Sequence, residues 1–172
     1  MFALIFFRQY LTGMKESVYI ETSVISYLVA RPSRDLVVAA RQQITCDWWE
    51  KSLRKFDVYV SPYVIGEISL GNPEYAELRL KSISGFQELE ITPMVEKLAD
   101  KYFKTLNIPE KAKLDCFHLA ISAVHGIDYL ISWNCKHIVN ARVKRTLESV
   151  NFDLDIRSPM VCTPEELLED RI

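Results

Sequence analysis

Short β-favouring runs alternate with longer helical patterns along the chain, and this alternation limits the possible folds more than any other feature. Five such runs, rich in β-branched and aromatic residues, lie at 18–20, 57–61, 87–91, 127–132 and 160–162. Strands separated by helices of roughly ten to twenty residues are typical of βαβ units in a parallel sheet. We therefore predict an α/β fold, a three-layer α/β/α domain with a mostly parallel central sheet.

The intervening helices are predicted from apolar spacing, from proline at helix starts and from glycine at helix ends. Thr22 or Ser23 is the predicted cap of the first helix. Further helices are predicted from Pro62 to the break at Gly71-Asn72-Pro73, after Thr163, and over 35–55, 73–84, 93–106, 109–125 and 141–150. In a doubly wound sheet, ligands bind at the carboxyl ends of the strands, where the strand order reverses. Polar residues just past each strand are therefore the candidates for function.

Length and cysteine content indicate one domain in a reducing compartment. The 172 residues match the usual size of about 100–200 residues per domain. Residues 1–13 are predicted to be an N-terminal extension, and residues 14–172 the domain itself. The apolar run 1–7 is far shorter than the ~20 residues that span a membrane, so no membrane contact is expected. Four cysteines without a CxxC pair indicate a cytoplasmic location.

Four polar residues follow predicted strands or lie in the helices next to them. Glu21 directly follows the first strand and Glu67 lies in the helix after the second; Asp115 lies early in the helix before the fourth strand, and Asn134 two residues past that strand. A cluster of carboxylates is costly unless a cation lies among them. Oxygen ligands with open water positions suit Mg²⁺ or Mn²⁺. The pattern predicts a divalent-metal site held by Glu21, Glu67 and Asp115.

Each of these residues also has an ordinary structural explanation, because an acid near a strand end is usually a helix cap or part of a solvated face. Glu67 is the most informative, since it carries the only charge between residues 58 and 72. Asp128, which enters its strand from the opposite end, is predicted to be structural. The chain has no G-x-S-x-G, G-x-G-x-x-G or Walker-type motif, which argues against serine-hydrolase chemistry and nucleotide cofactors.

Four segments together resemble a PIN domain, and the likeness is closest to the branch that contains VapC-type toxin ribonucleases. They are YIETSVISYL at 19–28, VIGEI at 64–68, DCFHLAIS at 115–122 and GIDYLISWNCKHI at 126–138. Each motif is short, but their order and spacing on the strand–helix pattern make the combination specific. The resemblance covers nearly the whole chain from Val18 to about Glu166.

The resemblance implies a metal-dependent ribonuclease in which acidic residues hold Mg²⁺ or Mn²⁺ and activate water against an RNA phosphodiester. Glu21 matches the first acid of the family, Glu67 the second and Asp115 the third. Ser23 matches a hydroxyl beside the first acid, and Asn134 matches a fourth position that is often aspartate. The resemblance also implies a small antitoxin protein as a partner, and a homodimer.

Two positions depart from the family pattern. Glu21 stands where aspartate is more common, and Asn134 carries no charge, so the site has three formal negative charges rather than four. Both changes weaken the electrostatic hold on a divalent ion. We therefore expect weak metal affinity or a preference for Mn²⁺.

The segment after the fourth strand is basic and contains no acid. Lys136, Arg142, Lys144 and Arg145 lie between residues 134 and 145, and they are predicted to bind the phosphates of RNA beside the metal site. The alternative is an ordinary solvated helix face. The formal net charge of −2 disfavours nucleic acid as a partner by itself, but a bound divalent ion would cancel that excess.

The sequence therefore predicts a divalent-metal-dependent endoribonuclease, the toxin component of a type II toxin–antitoxin system. One alternative is a catalytically weak or silent PIN-like module that binds RNA or a protein. A nuclease acting on structured DNA is a third possibility. His118 has two open interpretations, a half-buried structural histidine or a residue that hydrogen-bonds to the site.

Overall fold

Five strands make up one sheet in the computed structural model of the protein, which describes residues 15–168. They are β1 (Glu16–Ile20), β2 (Phe56–Val60), β3 (Gln87–Glu88), β4 (Tyr129–Ile131) and β5 (Met160–Cys162), in the order β3-β2-β1-β4-β5. All four pairings are parallel, and Val18 lies opposite both Val58 and Tyr129. The predicted α/β fold class is confirmed. The predicted extension at 1–13 lies outside the described residues, as do residues 14 and 169–172.

Helices connect the strands and cover both faces of the sheet. Within the described residues they are α1 (Thr22–Val29), α2 (Leu36–Lys51), α3 (Pro62–Ile68), α4 (Pro73–Ser82), α5 (Pro93–Leu106), α6 (Lys113–Val124) and α7 (Ala141–Asp153). Helices α1 to α4 contact one another, and α5 contacts both α6 and α7. The two groups lie on opposite faces because right-handed crossovers run in opposite directions along the sheet. The result is the predicted three-layer arrangement.

The chain order places the switch point at the centre of the sheet. The strands proceed from β1 outward to β2 and β3, then return to β4 on the other side of β1. The carboxyl ends of β1 and β4 are therefore adjacent at the position where doubly wound proteins bind ligands. The residues that directly follow these two strands share one edge of the sheet, called the carboxyl edge below.

Helix ends differ from the predictions in ways that matter for the site. Glu21, rather than Thr22 or Ser23, is the N-cap of α1, and its carboxylate accepts a hydrogen bond from the backbone N–H of Ser23. The helix predicted over 109–125 is divided into a 3₁₀ turn at Glu110–Ala112 and α6. Thr22 and Ser23 do not cap α1 because their hydroxyls donate to the carboxylates of Glu67 and Glu21.

The helix predicted over 35–55 ends as an α-helix at Lys51 and is followed by a 3₁₀ turn at Leu53–Lys55. Asp35 caps its start through hydrogen bonds from the N–H groups of Val37 and Val38. The terminal turn at Pro164–Leu167 carries the capping box expected after Thr163.

The core lies between the central strands and the two helical layers. Tyr19, Trp48, Tyr102 and Leu130 are among the largest fully buried side chains. The four cysteines are free. Within residues 15–168, no helix has the length and apolar character needed to cross a membrane.

Asp128 is structural, as predicted, and fastens β4 to its neighbours. Its carboxylate accepts hydrogen bonds of 2.8 Å from the backbone N–H and the hydroxyl of Ser17 and pairs with Arg157 at 2.8 Å. Burial raises its pKa, but the two bonds from Ser17 and the Arg157 charge outweigh burial, so the pKa is lowered overall.

Replacing Asp128 with alanine should lower the free energy of unfolding by about 1–3 kcal/mol at pH 7, because the donors on Ser17 lose their acceptor. An acid with a lowered folded pKa stabilises the fold above its unfolded pKa and loses that contribution as pH falls through the folded value. The difference from wild type should therefore shrink at pH 3 in urea unfolding. Asp153→Ala, an exposed site on α7, is the control, with an effect within about 0.5 kcal/mol.

Candidate active site

The predicted acids converge on the carboxyl edge because each belongs to an element that begins or ends there. Glu21 follows β1 directly, and Glu67 lies in the last turn of α3, which begins two residues after β2. Asp115 lies in the first turn of α6, the helix that precedes β4. Asn134 lies three residues beyond the end of β4. Residues separated by up to 113 positions are thereby brought to one place by the sheet topology alone.

Glu21 is held in place by three donors. Its Oε1 accepts from the Ser23 backbone N–H at 3.1 Å, and its Oε2 accepts from the hydroxyls of Ser23 and of Ser132, the latter at 2.6 Å. The side chain is 5% exposed. The predicted proximity of Ser23 to the first acid is present, and Ser132 adds a second hydroxyl from the end of β4.

Glu67 is bonded through one carboxylate oxygen. Its Oε2 accepts from the hydroxyl of Thr22 at 2.5 Å and lies 3.1 Å from His118 Nε2. The other oxygen, Oε1, accepts no hydrogen bond from the described residues. Thr22 is the first residue of α1, so the contact joins the start of α1 to the end of α3.

The side chains of Asp115 and Asn134 form a hydrogen-bonded pair between α6 and the loop after β4. The Asn134 amide Nδ2 donates to Asp115 Oδ1 at 3.0 Å, and its Oδ1 accepts from the His137 backbone N–H at 3.0 Å. The amide is therefore oriented by contacts on both of its ends. In this arrangement Asn134 positions Asp115 and uses its own carbonyl within the loop.

His118 and Glu67 have the electrostatics of an ion pair. Burial raises the pKa of Glu67, but the hydrogen bonds from His118 and Thr22 and the His118 charge outweigh it, so the net shift is downward. Burial lowers the pKa of His118, yet the bond to Glu67 and the charges of Glu21, Glu67 and Asp115 raise it overall. The two shifts are opposite in sign and consistent with each other, since a lowered Glu67 pKa and a raised His118 pKa each favour the charged form of the group concerned.

The pKa of Asp115 is raised, in contrast to that of Glu67. Burial raises its pKa and the charge of Glu21 raises it further, and the nearby His118, Asn134 and His137 do not compensate fully. An ionised carboxylate is therefore less favourable at this position than in water. A cation in the cleft would offset that cost.

The donor set fits a hard divalent cation. One ligand atom from each of Glu21, Glu67 and His118 lies within 4.8 Å of the other two. Asp115 does not belong to this group of three, but it lies close enough to Glu21 for the Glu21 charge to raise the Asp115 pKa. Carboxylate oxygens that converge in this way are the ligands preferred by Mg²⁺ and Mn²⁺, so the residues present could hold either ion.

The predicted basic residues lie at the same edge but do not contact the acids. Lys136 is exposed in the loop after Asn134, and Arg142, Lys144 and Arg145 lie in the first turns of α7, with Lys144 partly buried. Because α7 leads to the start of β5, its first turns lie at the carboxyl edge. Within the described part of the chain, none of the four forms an ion pair with Glu21, Glu67 or Asp115.

The residues that sequence reasoning missed are the groups that hold the acids. Ser132 bonds to Glu21, Thr22 bonds to Glu67, and a buried contact between Tyr19 and Ser61 lies behind His118. Of the two interpretations of His118, the structure supports the hydrogen bond to the site, because the ring is 1% exposed and contacts Glu67. The only sequence signal for this group is its position beside the motif acids.

Comparisons with known proteins bear on the fold. No protein-family model and no curated protein matches the sequence. Among solved structures, the Mycobacterium tuberculosis protein VapC20, a sarcin–ricin loop cleaving toxin, matches with a TM-score of 0.54 and 17% identity over 70% of this chain and 92% of the VapC20 chain. The fold is PIN-like. At this identity the likeness extends to the fold, and the roles of individual residues depend on the geometry described above.

Proposed function

We propose that the protein is a divalent-metal-dependent endoribonuclease and the toxin component of a type II toxin–antitoxin system. The observation that supports the proposal is the approach of Glu21 and Glu67, whose ligand atoms lie within 4.8 Å of each other at the switch point of a PIN-like sheet, with Asp115 near enough for the Glu21 charge to raise its pKa. The structural match to VapC20, a sarcin–ricin loop cleaving toxin, supports a nuclease function of this kind.

Glu21, Glu67 and Asp115 are the residues that would hold the ion. When bound, such an ion lowers the pKa of a coordinated water and stabilises negative charge developing on a phosphodiester. The remaining residues act by orientation. Ser23 and Ser132 fix both oxygens of Glu21, Thr22 fixes one oxygen of Glu67, and the Asn134 amide donates to Oδ1 of Asp115.

The direct test is cleavage of a structured RNA by the purified protein, free of any partner, with and without a divalent ion. We expect cleavage with Mn²⁺, no cleavage after treatment with EDTA, and recovery when Mn²⁺ is added back. Half-saturation with Mg²⁺ should lie well above the micromolar range, because Asn134 adds no charge and its carbonyl is already bonded to His137. Cleavage unaffected by EDTA would contradict the proposed metal dependence. Saturation at micromolar Mg²⁺ would contradict the expected weak metal affinity.

Failure to cleave any RNA or structured DNA at any concentration of Mn²⁺ would favour the alternative, a silent PIN-like module. Cleavage of DNA in preference to RNA would favour the third possibility. The assay therefore separates all three functions suggested by the sequence.

The exposed side chains of Arg142 and Arg145 should supply part of the salt dependence of RNA binding. They lie one turn apart on α7, and each phosphate contact adds about 0.7 to the slope of log affinity against log salt for single strands. The double alanine variant should flatten that slope by about 1.4 if both contact phosphates. The matched control is Arg54→Ala with Lys55→Ala, a pair just before β2 at the opposite edge. If the double variant of Arg142 and Arg145 has the same slope as wild type, these two side chains do not contact phosphates.

The proposed partners follow from the same assignment. A toxin of this class would be held by a small antitoxin protein, and we propose that it forms a homodimer. Co-expression with the product of a short adjacent reading frame should give a stable complex in which RNA cleavage is suppressed. Light scattering of the isolated chain checks the dimer.

A further inference from the structure

His118 lies where a third metal ligand could lie, but both of its ring nitrogens are already hydrogen-bonded to other side chains. Its ligand atom lies within 4.8 Å of those of Glu21 and Glu67, so proximity alone would include it in the ion's coordination shell. However, both ring nitrogens are already engaged: Nδ1 lies 2.7 Å from the Tyr19 hydroxyl, and Nε2 lies 3.1 Å from Glu67 Oε2.

The partner at Nε2 decides what this nitrogen can do. An ionised carboxylate only accepts hydrogen bonds, so Nε2 must carry a proton and donate it. A nitrogen that carries a proton has no lone pair to give to a metal. This conclusion is the same for the neutral and the charged ring, because Nε2 is a donor in both.

A buried contact fixes the other side of the ring. The Tyr19 hydroxyl lies 2.7 Å from Ser61 Oγ as well as from His118 Nδ1, and Ser61 Oγ also accepts from the Val64 backbone N–H. Tyr19, Ser61 and His118 are each almost fully buried. The imidazole therefore has a single orientation, with Nε2 directed at Glu67.

We propose that His118, oriented by Tyr19 and Ser61, is a positioning residue that fixes Glu67 for the ion and does not itself bind the ion. The inference rests on the proposed metal-dependent function. His118 and Thr22 both bond to Oε2 of Glu67, so Oε1 is the oxygen left to face the cation. Groups that orient metal ligands in this way typically contribute 10–100-fold to metal affinity.

The first test measures Mn²⁺ affinity by electron paramagnetic resonance, which does not depend on cleavage. His118→Leu should weaken binding by about 10–100-fold, and His118→Gln, whose amide can still donate to Glu67, should recover most of that loss. His125→Gln is the matched control, since His125 caps the end of the same helix and its ring Nε2 bonds to the Glu90 carbonyl, away from the acids. Equal affinity in wild type and His118→Leu would overturn the inference while leaving the proposed function intact.

The second test distinguishes positioning from ligation. In Mn²⁺-loaded wild type, electron spin echo modulation should show no nitrogen coupling that changes when the histidines are labelled with ¹⁵N. A coupling that changes on labelling and disappears in His118→Gln would make His118 a ligand and overturn the inference. A wild type that binds no Mn²⁺ at all would overturn both this inference and the proposed function.

Tyr19→Phe tests the outer part of the contact. The variant keeps the buried ring and removes only the hydroxyl that holds Nδ1, so Mn²⁺ affinity should fall by about tenfold at a temperature where circular dichroism shows a folded protein. Unchanged affinity in a folded variant would remove Tyr19 from the proposal. If Tyr19→Phe does not fold, the His118→Leu and His118→Gln pair decides the role of the ring.

Discussion

Asp115→Asn should slow RNA cleavage by orders of magnitude and at the same time make the metal-free protein more stable. The substitution keeps the shape of the side chain, and its oxygen can still accept the bond from Asn134. What is lost is one negative charge of the three that would hold the ion. We expect the cleavage rate to fall by about 10²–10³-fold, the usual cost of removing one essential electrostatic group.

The rise in stability follows from the direction of the Asp115 pKa. Burial and the charge of Glu21 raise that pKa, so the folded protein holds this proton more tightly than the unfolded chain. Stability therefore falls as pH rises from the unfolded pKa through the folded value, and the full cost is present above the folded pKa. Removing the charge removes the cost. Each kcal/mol gained raises the melting temperature by roughly 2–4 °C for a chain of this size.

Adding Mn²⁺ should make the wild type more stable than Asp115→Asn, the reverse of their order without metal. The wild type gains stability on binding the ion in proportion to the logarithm of ion concentration above its dissociation constant, and the variant should gain much less. Asp47→Asn is the matched control, because Asp47 also accepts from an amide side chain, that of Gln43. An Asp115→Asn protein that cleaves RNA as fast as wild type would exclude Asp115 from the site.

The positions of the acids could be predicted because they depend on topology. In a parallel sheet every strand ends at the same edge, so a residue such as Glu21, which directly follows a strand, reaches that edge wherever the strand lies. The low charge of the segment around Glu67 was a second, independent signal. Both signals, the position after a strand and the low local charge, are patterns along the chain that can be read from the sequence.

Apart from Ser23, the donors that hold the acids could not be predicted, because they depend on contacts across the chain. Thr22 meets Glu67 from 45 positions away, and Tyr19 meets His118 from 99 positions away. Whether such hydroxyls meet a carboxylate is decided by rotamers and by how α1, α3 and α6 pack, and no spacing rule encodes this. The first helix cap was misplaced for a related reason, since Thr22 and Ser23 direct their hydroxyls to acids of the site.

Trp133→Ala should cause the largest loss of stability among single changes near the site, about 3–5 kcal/mol. The indole is 6% exposed, its Nε1 donates to Thr45 at 2.8 Å, and the guanidinium of Arg41 lies 5.4 Å above the ring. The ring of Tyr27 contacts it edge-on at 6.2 Å. Truncation therefore leaves a large cavity between the loop after β4 and helices α1 and α2. Urea unfolding at pH 7 measures the loss.

The same change should also weaken Mn²⁺ binding, because Trp133 anchors the loop that carries Ser132 and Asn134. Trp49→Ala separates the two effects. Trp49 on α2 packs against Trp48 and Phe86. Its truncation should lower stability but leave the Mn²⁺ dissociation constant unchanged under conditions where the protein is folded. If both variants bind Mn²⁺ as wild type does, the position of Asn134 does not depend on Trp133, and the backbone bond from Trp133 to the Ser23 hydroxyl is sufficient to hold the loop.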